Sequence, residues 1–180
     1  MARLFQQAVS EASGKTAQLF SAIQAAVGKV PNAYADMGNN SPLALEAMLA
    51  LDGALRKSSL AARELETIRL AVSEVAGCDY CLAAHTLMAS KQGIDRHASV
   101  ALRSGAPSGD ARLDALAAFA RSLVTSRGTA TIETVAAVKA AGYSDAQIVE
   151  TLLAISAITF TNLFNRVNDT SVDFPAAPEL

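Results

Sequence analysis

Glu66-Thr67-Ile68-Arg69-Leu70-Ala71-Val72-Ser73-Glu74-Val75-Ala76-Gly77-Cys78-Asp79-Tyr80-Cys81-Leu82-Ala83-Ala84-His85 decides both the architecture and the chemistry of this chain. From about Arg63 to Ala76, Leu65, Ile68, Val72 and Val75 recur at helical spacing, the stripe of a helix packed on one face. Gly77 ends that helix, because glycine takes the left-handed C′ position without a Cβ clash. A second helix opens near Cys78-Asp79 and runs to about Lys91, where Gln92-Gly93 stops it. Asp79 in its first turn suits the positive helix end. The pair forms a helical hairpin with Cys78-x-x-Cys81 at its bend.

The same reading extends in both directions. Ser41-Pro42 is an N-cap followed by Pro at the first helical position, opening Leu43 to Leu55. Lys57 to Ala61 links it to the hairpin. A short helix follows Asp95, and Ser104 to Asp110, with Gly105, Pro107 and Gly109, is a loop. Ala111 to Val124 and Ile132 to Ala140 are helical, separated by a turn at Arg127-Gly128. Ser144 to Gln147 fits a capping box opening a last helix to about Arg166. Its apolar stretch, Ile148 to Phe164, reads as a buried helix, shorter than the ~20 residues that span a bilayer. The segment to Val27 is helical, and Phe174 to Pro178 is an extended tail that packs on a neighbouring subunit. Glu66-Thr67 and Glu150-Thr151 open two similar short runs, a faint internal echo. With connections of ordinary length this gives roughly eight to ten helices. The expectation is an all-α single domain over residues 1–180, with a helical N-terminal extension (1–28) and the tail (171–180).

Composition sets the class. Of 180 residues, 51% are hydrophobic and 18% charged, which excludes disorder for most of the chain. Aromatics are only 5%, so the apolar content is mostly aliphatic and Ala-rich, which favours helices. Fifteen Lys and Arg against seventeen Asp and Glu give a net charge of -2, without the basic footprint that nucleic acid or a polybasic membrane anchor requires. The start, Met1-Ala2-Arg3-Leu4-Phe5-Gln6-Gln7, is no secretory signal, so a cytoplasmic protein that makes no membrane contact is expected. Two cysteines make no secreted disulfide framework; a close pair in a reducing compartment points to redox chemistry or metal binding.

Cys78 and Cys81 lie near one another on one helical face, close enough for a disulfide that forms and opens without refolding. A helix N-terminus stabilises a thiolate, which alone would favour Cys78 as the reactive sulfur. His85 decides otherwise. It sits one turn after Cys81, where an imidazole can take that thiol's proton directly or through a water. Cys81 is therefore the attacking thiol and Cys78 its resolving partner. Glu66 can reach back across the hairpin to orient His85, although Glu64 and Glu74 compete for the role on geometry alone. All of this requires the sulfurs to be reachable by an oxidant and His85 to face them.

Each residue also has a plainer explanation. A single His is more often structural, Glu66 beside Arg69 is more often a surface pair worth little, and two Cys can serve as small hydrophobes. Zinc held by Cys78, Cys81, His85 and His97 is the main structural alternative, with spacing unlike a common finger. There is no phosphate-binding Gly loop and no Ser-hydrolase elbow, and no cofactor is called for.

Glu66, eleven residues, Cys78-x-x-Cys81, three residues and His85 together resemble the active-site motif of the alkylhydroperoxidase D-like family of the carboxymuconolactone decarboxylase superfamily. The likeness runs from Lys29-Val30-Pro31-Asn32 to Val172-Asp173-Phe174-Pro175 and includes Phe164-Asn165-Arg166-Val167-Asn168-Asp169. It implies an all-α fold, assembly as a trimer or hexamer, and a thiol peroxidase or disulfide reductase acting on small hydroperoxides. By that likeness Cys81 attacks the peroxide, Cys78 resolves the sulfenic acid, and His85 and Glu66 relay the proton. A dithiol or a lipoylated protein would be the reductant. One departure is Tyr80, where the well-characterised peroxidases have a second His. A phenol with a pKa of about 10 is no base at neutral pH, although it can donate a hydrogen bond in support of the site. The rival expectations are a redox-sensing or zinc-binding oligomeric scaffold without turnover, and a decarboxylase-like member of the superfamily.

Overall fold

A computed structural model describes residues 2–180 and contains nine α-helices and one 3-10 turn, with no strand among the described residues. The turn Val9–Glu11 leads to α1 (Gly14–Val27), α2 (Asn32–Asn40), α3 (Pro42–Leu55), α4 (Ala62–Ala76) and α5 (Asp79–Lys91). Then come α6 (Arg96–Ser104), α7 (Ala111–Thr125), α8 (Ile132–Ala140) and α9 (Asp145–Asn168). The all-α expectation holds, and so do most boundaries, because the caps are written in the sequence. Ser41, Asp95, Asp110, Thr131 and Ser144 each accept a backbone N–H from the first turn of the helix they open.

α4 is the hub on which α5, α6, α7 and α9 pack. Its Leu65, Ile68 and Val72 enter the main core, while Leu70 and Ala71 enter a second, smaller one with Ala89, Ile94, Leu102, Leu113 and Ala117. A helix wrapped on so many sides must bury its polar residues too. Glu64, Glu66, Thr67 and Ser73 are all buried in α4, and each has a partner. Thr67 returns its hydroxyl to the Arg63 carbonyl, and Thr151 of α9 does the same to Gln147. The sequence echo thus corresponds to a shared local device on two helices that pack together.

Four expectations need correction. Val75 is exposed, at 42%, because the packed stripe of α4 ends at Val72 before Gly77 reverses the chain. The N-terminal segment is helical only from Gly14, and it is more than an appendage: Phe20 and Ile23 lie in the main core. α2 was not anticipated; its run Asn32-Ala33-Tyr34-Ala35-Asp36-Met37-Gly38-Asn39-Asn40 is too polar to display a helical stripe, yet Met37 and Asp36 are buried. α9 is 24 residues long, long and apolar enough by composition to cross a bilayer, and it is not enclosed. Its outward residues Val149, Leu152, Leu153, Phe160, Leu163 and Val167 are 40–64% exposed.

Within the chain, the tail is held against α5 and α6. Phe174 meets the Tyr80 ring edge-on, with centroids 5.6 Å apart, and the Pro178 carbonyl accepts from the buried Arg103.

Candidate active site

Gly77 adopts φ 61° and turns α4 into α5, bringing the two halves of the motif side by side. Cys78 is the N-cap of α5, and its Sγ accepts the Cys81 N–H at 3.3 Å, so this sulfur sits on the positive end of the helix. Cys78 and Cys81 are joined as a disulfide, with Cα atoms 5.3 Å apart. The bend therefore accommodates the bridge expected from the spacing.

His85 lies one turn further along α5 and faces α4. Its Nδ1 is 2.8 Å from Glu66 Oε2. The competing acids are occupied elsewhere. Glu64 accepts from the Ala61 N–H and from Arg112, and Glu74 pairs with Arg103. Of the three acids, only Glu66 reaches the imidazole.

Glu66 is not half of a surface pair. Its second oxygen accepts from Arg69 Nη1 at 2.6 Å, Arg69 Nη2 donates to Asp52 at 3.1 Å, and the Tyr34 hydroxyl donates to the other Asp52 oxygen at 3.3 Å. The chain Tyr34–Asp52–Arg69–Glu66–His85 runs through the interior. Burial pushes the Glu66 carboxyl up, but the charge and hydrogen bond of His85, then those of Arg69, outweigh it and hold the group below its usual range. An ionised carboxylate only accepts, so His85 Nδ1 carries the hydrogen that meets Glu66, and Nε2 is the ring nitrogen turned away from that carboxylate. Burial also works against the charge on Arg69, and Glu66 and Asp52 more than restore it.

Two geometric requirements come out differently from expectation. The sulfurs are nearly sealed, with Cys78 1% and Cys81 2% exposed, because both belong to the main core. His85, with 20% of its side chain exposed, is the motif's contact with solvent. Neither ring nitrogen hydrogen-bonds a sulfur in the disulfide form, which leaves only an indirect route between His85 and Cys81.

The Cys81 sulfur instead receives a hydrogen bond from Asn165 Nδ2 of α9, at 3.3 Å. Tyr80 points away from the pair. Its hydroxyl accepts from the Ala33 N–H and donates to Asp173, and burial raises the phenol well above its ordinary value. Tyr80 thus anchors the tail, while Lys29 clamps Asp173 and lies 4.2 Å over the Phe174 ring.

No group of three or more His, Cys, Asp or Glu side chains among the described residues is arranged to hold a metal ion, and His97 is exposed on α6. Cys78, Cys81, His85 and His97 therefore do not come together as a ligand set. A cavity of about 460 Å³ lies between α5, α6 and the tail, lined by Thr86, Leu87, Ile94, Ser99 and Pro178, and none of the motif residues borders it.

Sequence reasoning missed Asp52, Arg69, Tyr34 and Asn165 as parts of this region. Their signal was available as isolated polar residues within apolar runs. Asp52 interrupts Leu51 and Ala54-Leu55, Arg69 interrupts Ile68 and Leu70, and Asn165 is one of three asparagines at helical spacing.

Comparison with solved structures defines the class. The alkylhydroperoxidase AhpD core of an uncharacterised peroxidase-related protein from Ralstonia eutropha JMP134 superposes with a TM-score of 0.83 at 18% identity, over 96% of this chain and 92% of that one. A variant of the debrominase Bmp8 in complex with 2,3,4-tribromopyrrole gives 0.79 at 20%, over 96% and 92%. An uncharacterised peroxidase-related protein from Silicibacter sp. TM1040 gives 0.77 at 22%, over 95% and 94%. The fold is thus of the alkylhydroperoxidase D-like type. Residues 42–122, which hold the hairpin, match the model of the carboxymuconolactone decarboxylase family. No curated protein matches the sequence significantly.

Proposed function

We propose that this protein is a thiol-dependent hydroperoxide reductase with Cys81 as the attacking sulfur and Cys78 as the resolving one. The observation that carries the reading is the Glu66 carboxylate, held ionised between Arg69 and His85 beside a redox-capable Cys78–Cys81 pair.

The reduced enzyme starts with both thiols. His85 Nε2 takes the Cys81 proton through a water, and Glu66 stabilises the resulting imidazolium. The Cys81 thiolate attacks the terminal oxygen of the hydroperoxide. The O–O bond breaks, a Cys81 sulfenic acid forms, and the departing alkoxide takes the proton back from His85. Cys78 then attacks the Cys81 sulfur, releasing water and closing the disulfide. A dithiol, free or on a lipoylated protein, reopens it by exchange and is itself oxidised to a disulfide. Burial of both sulfurs means that the oxidant passes His85, and that the first turn of α5 opens for the reductant. Recycling of this kind suits a thiol-reducing compartment such as the cytoplasm.

The outward face of α9 is read as the contact with further copies of this chain, in a trimer or hexamer. Six large apolar side chains at helical spacing are otherwise left in water. Light scattering on the purified protein tests the assembly.

A second reading, thiol-dependent removal of bromine from a small aromatic ring, draws support from the debrominase's similar fold. One assay separates the readings: consumption of cumene hydroperoxide by the reduced protein, with thiols counted before and after. Loss of two thiols per peroxide supports the first. No consumption, with bromide released from a bromopyrrole, supports the second. Disulfide formation without turnover with lipoamide, thioredoxin or glutathione would leave a redox sensor, and turnover that survives Cys81→Ser would refute the assignment of the attacking sulfur.

A further inference from the structure

Asn165 stands in α9, one turn beyond Asn162, and is 95% buried because its residue exposure is 5%. Its amide nitrogen donates to Cys81 Sγ at 3.3 Å, while its Oδ1 has no partner. Leaving a buried amide oxygen unpaired carries its full desolvation penalty, so a purely structural element would gain by replacing it with an apolar side chain. Asn162 supplies the reason the amide is aimed so well. Its Oδ1 accepts from Ser73 of α4 at 3.0 Å, which pins the rotation of α9 against the hub helix.

We infer that Asn165 stabilises the Cys81 thiolate by direct hydrogen bonding and thereby sets the ionisation of the attacking sulfur. The inference rests on Cys81 being that sulfur. A thiolate is acceptor-only and needs a donor, and the Asn165 amide nitrogen is the side-chain donor that reaches it. The Cys81 N–H is already given to Cys78, so the helix end serves the resolving sulfur and leaves the attacking one to Asn165. The ionisable groups on the surrounding elements are otherwise engaged. Arg69 and His85 each bind Glu66, Tyr80 binds Asp173, and Arg166 of α9 donates to the Ala76 carbonyl. A neutral donor at the sulfur thus complements the more distant imidazole: His85 moves the proton, and Asn165 holds the charge left behind.

The test is the pH dependence of thiolate ultraviolet absorbance in Cys78→Ser protein, whose single thiol is Cys81. In that background, Asn165→Leu removes the donor at similar volume, and Asn165→Asp keeps the shape but turns the donor into an acceptor. Asn165→Leu is expected to lower the thiolate fraction at neutral pH about tenfold, a rise of one pKa unit, and Asn165→Asp to lower it further. Circular dichroism and melting temperature check that each variant is folded. A structural role alone would lower the melting temperature without moving the thiol titration. An unchanged titration in the folded Asp variant overturns the inference, whether or not the protein reduces peroxide. A shifted titration supports it even if peroxide is not turned over, in which case the peroxidase reading alone fails. The reduction potential of the Cys78–Cys81 pair gives a second readout. Loss of the donor should make the disulfide harder to reduce, and an unchanged or higher potential in Asn165→Leu would contradict the inference.

Discussion

α9 has two faces, and they reverse the usual order. Its inward face carries Thr151, Asn162, Asn165 and Asn168, all buried, alongside Ala154, Ala157 and Ile158. Its outward face carries Val149, Leu152, Leu153, Phe160, Leu163 and Val167, all substantially exposed. Amphipathic helices of isolated domains place apolar residues inward and polar ones outward. Here the polar residues serve specific contacts within the chain: Asn162 to Ser73, Asn165 to Cys81, and Asn168 to Asp36. The apolar residues have no contact of that kind within the chain. On the function proposed above, one face of the helix positions the attacking sulfur and the other meets a partner copy.

The sharpest way to break this contrast is at the sulfur itself. Cys81→Ser should bring peroxide turnover down to the uncatalysed rate in a peroxide-consumption assay, whereas Cys78→Ser should still consume one equivalent and then stop. Glu66→Gln comes next. It should cost about 10²-fold in turnover, the contribution of a positioned proton-transfer group. It should also cost about 3 kcal/mol of stability, because breaking a buried charge network leaves Arg69 with one carboxylate instead of two. The sign with pH follows from the depressed Glu66 carboxyl. Its stabilisation is fully present above the unfolded-state value of about 4.3 and disappears as pH falls through the lower folded value. Denaturant melts of the two proteins should therefore differ at pH 7 and converge as the solution is acidified below about pH 4.

On the outward face, Phe160→Glu with Leu163→Glu should reduce the mass seen by light scattering to that of one chain. The stability of the separated chain should change little, by about 0.5 kcal/mol or less per site, because both positions face water there. Retention of the full assembly would show that other surfaces hold the copies together. The smallest effect is expected at Tyr80→Phe. It removes the hydrogen bonds to Asp173 and Ala33, at a cost of about 1 kcal/mol, and loosens the tail. It should leave turnover within a few-fold, because the phenol faces away from the sulfurs. Hydrogen exchange across residues 171–180 reads the tail, and a large loss of turnover would show that Tyr80 supports the site directly.

What was legible in the sequence follows the same division. Caps such as Ser41-Pro42 and Ser144 to Gln147 speak through local chemistry, and the Glu66–Cys78–Cys81–His85 set speaks through spacing. The caps appear in the structure as helix starts, and the set appears as the Glu66–His85 hydrogen bond and the Cys78–Cys81 bridge, with no contact joining His85 to a sulfur. The burial of Glu66 did not show, because its cause is non-local: α4 is wrapped by four other helices, and a pair at i, i+3 looks the same on a surface as in a core. Asn165 gives no sign of its role in the sequence beyond the family likeness, since nothing in a sequence says that residue 165 meets residue 81. The outward stripe of α9 reads as core in the sequence for a related reason. Periodicity measures apolarity and not enclosure, and a helix awaiting a partner copy carries the same pattern as one inside a single chain. α2 stayed hidden because its polar positions are satisfied by long-range bonds, Asp36 to Asn168 and Asn39 to Gln7.

The most direct measurement is dimedone trapping followed by peptide mass mapping after one equivalent of hydroperoxide. It would be made on Cys78→Ser and Cys81→Ser proteins side by side. Label confined to Cys81 in the first, with none at Cys78 in the second, is the predicted result. Label at Cys78 in the second protein, with Cys81 unmarked in the first, would reverse the order of the two sulfurs and contradict the central claim.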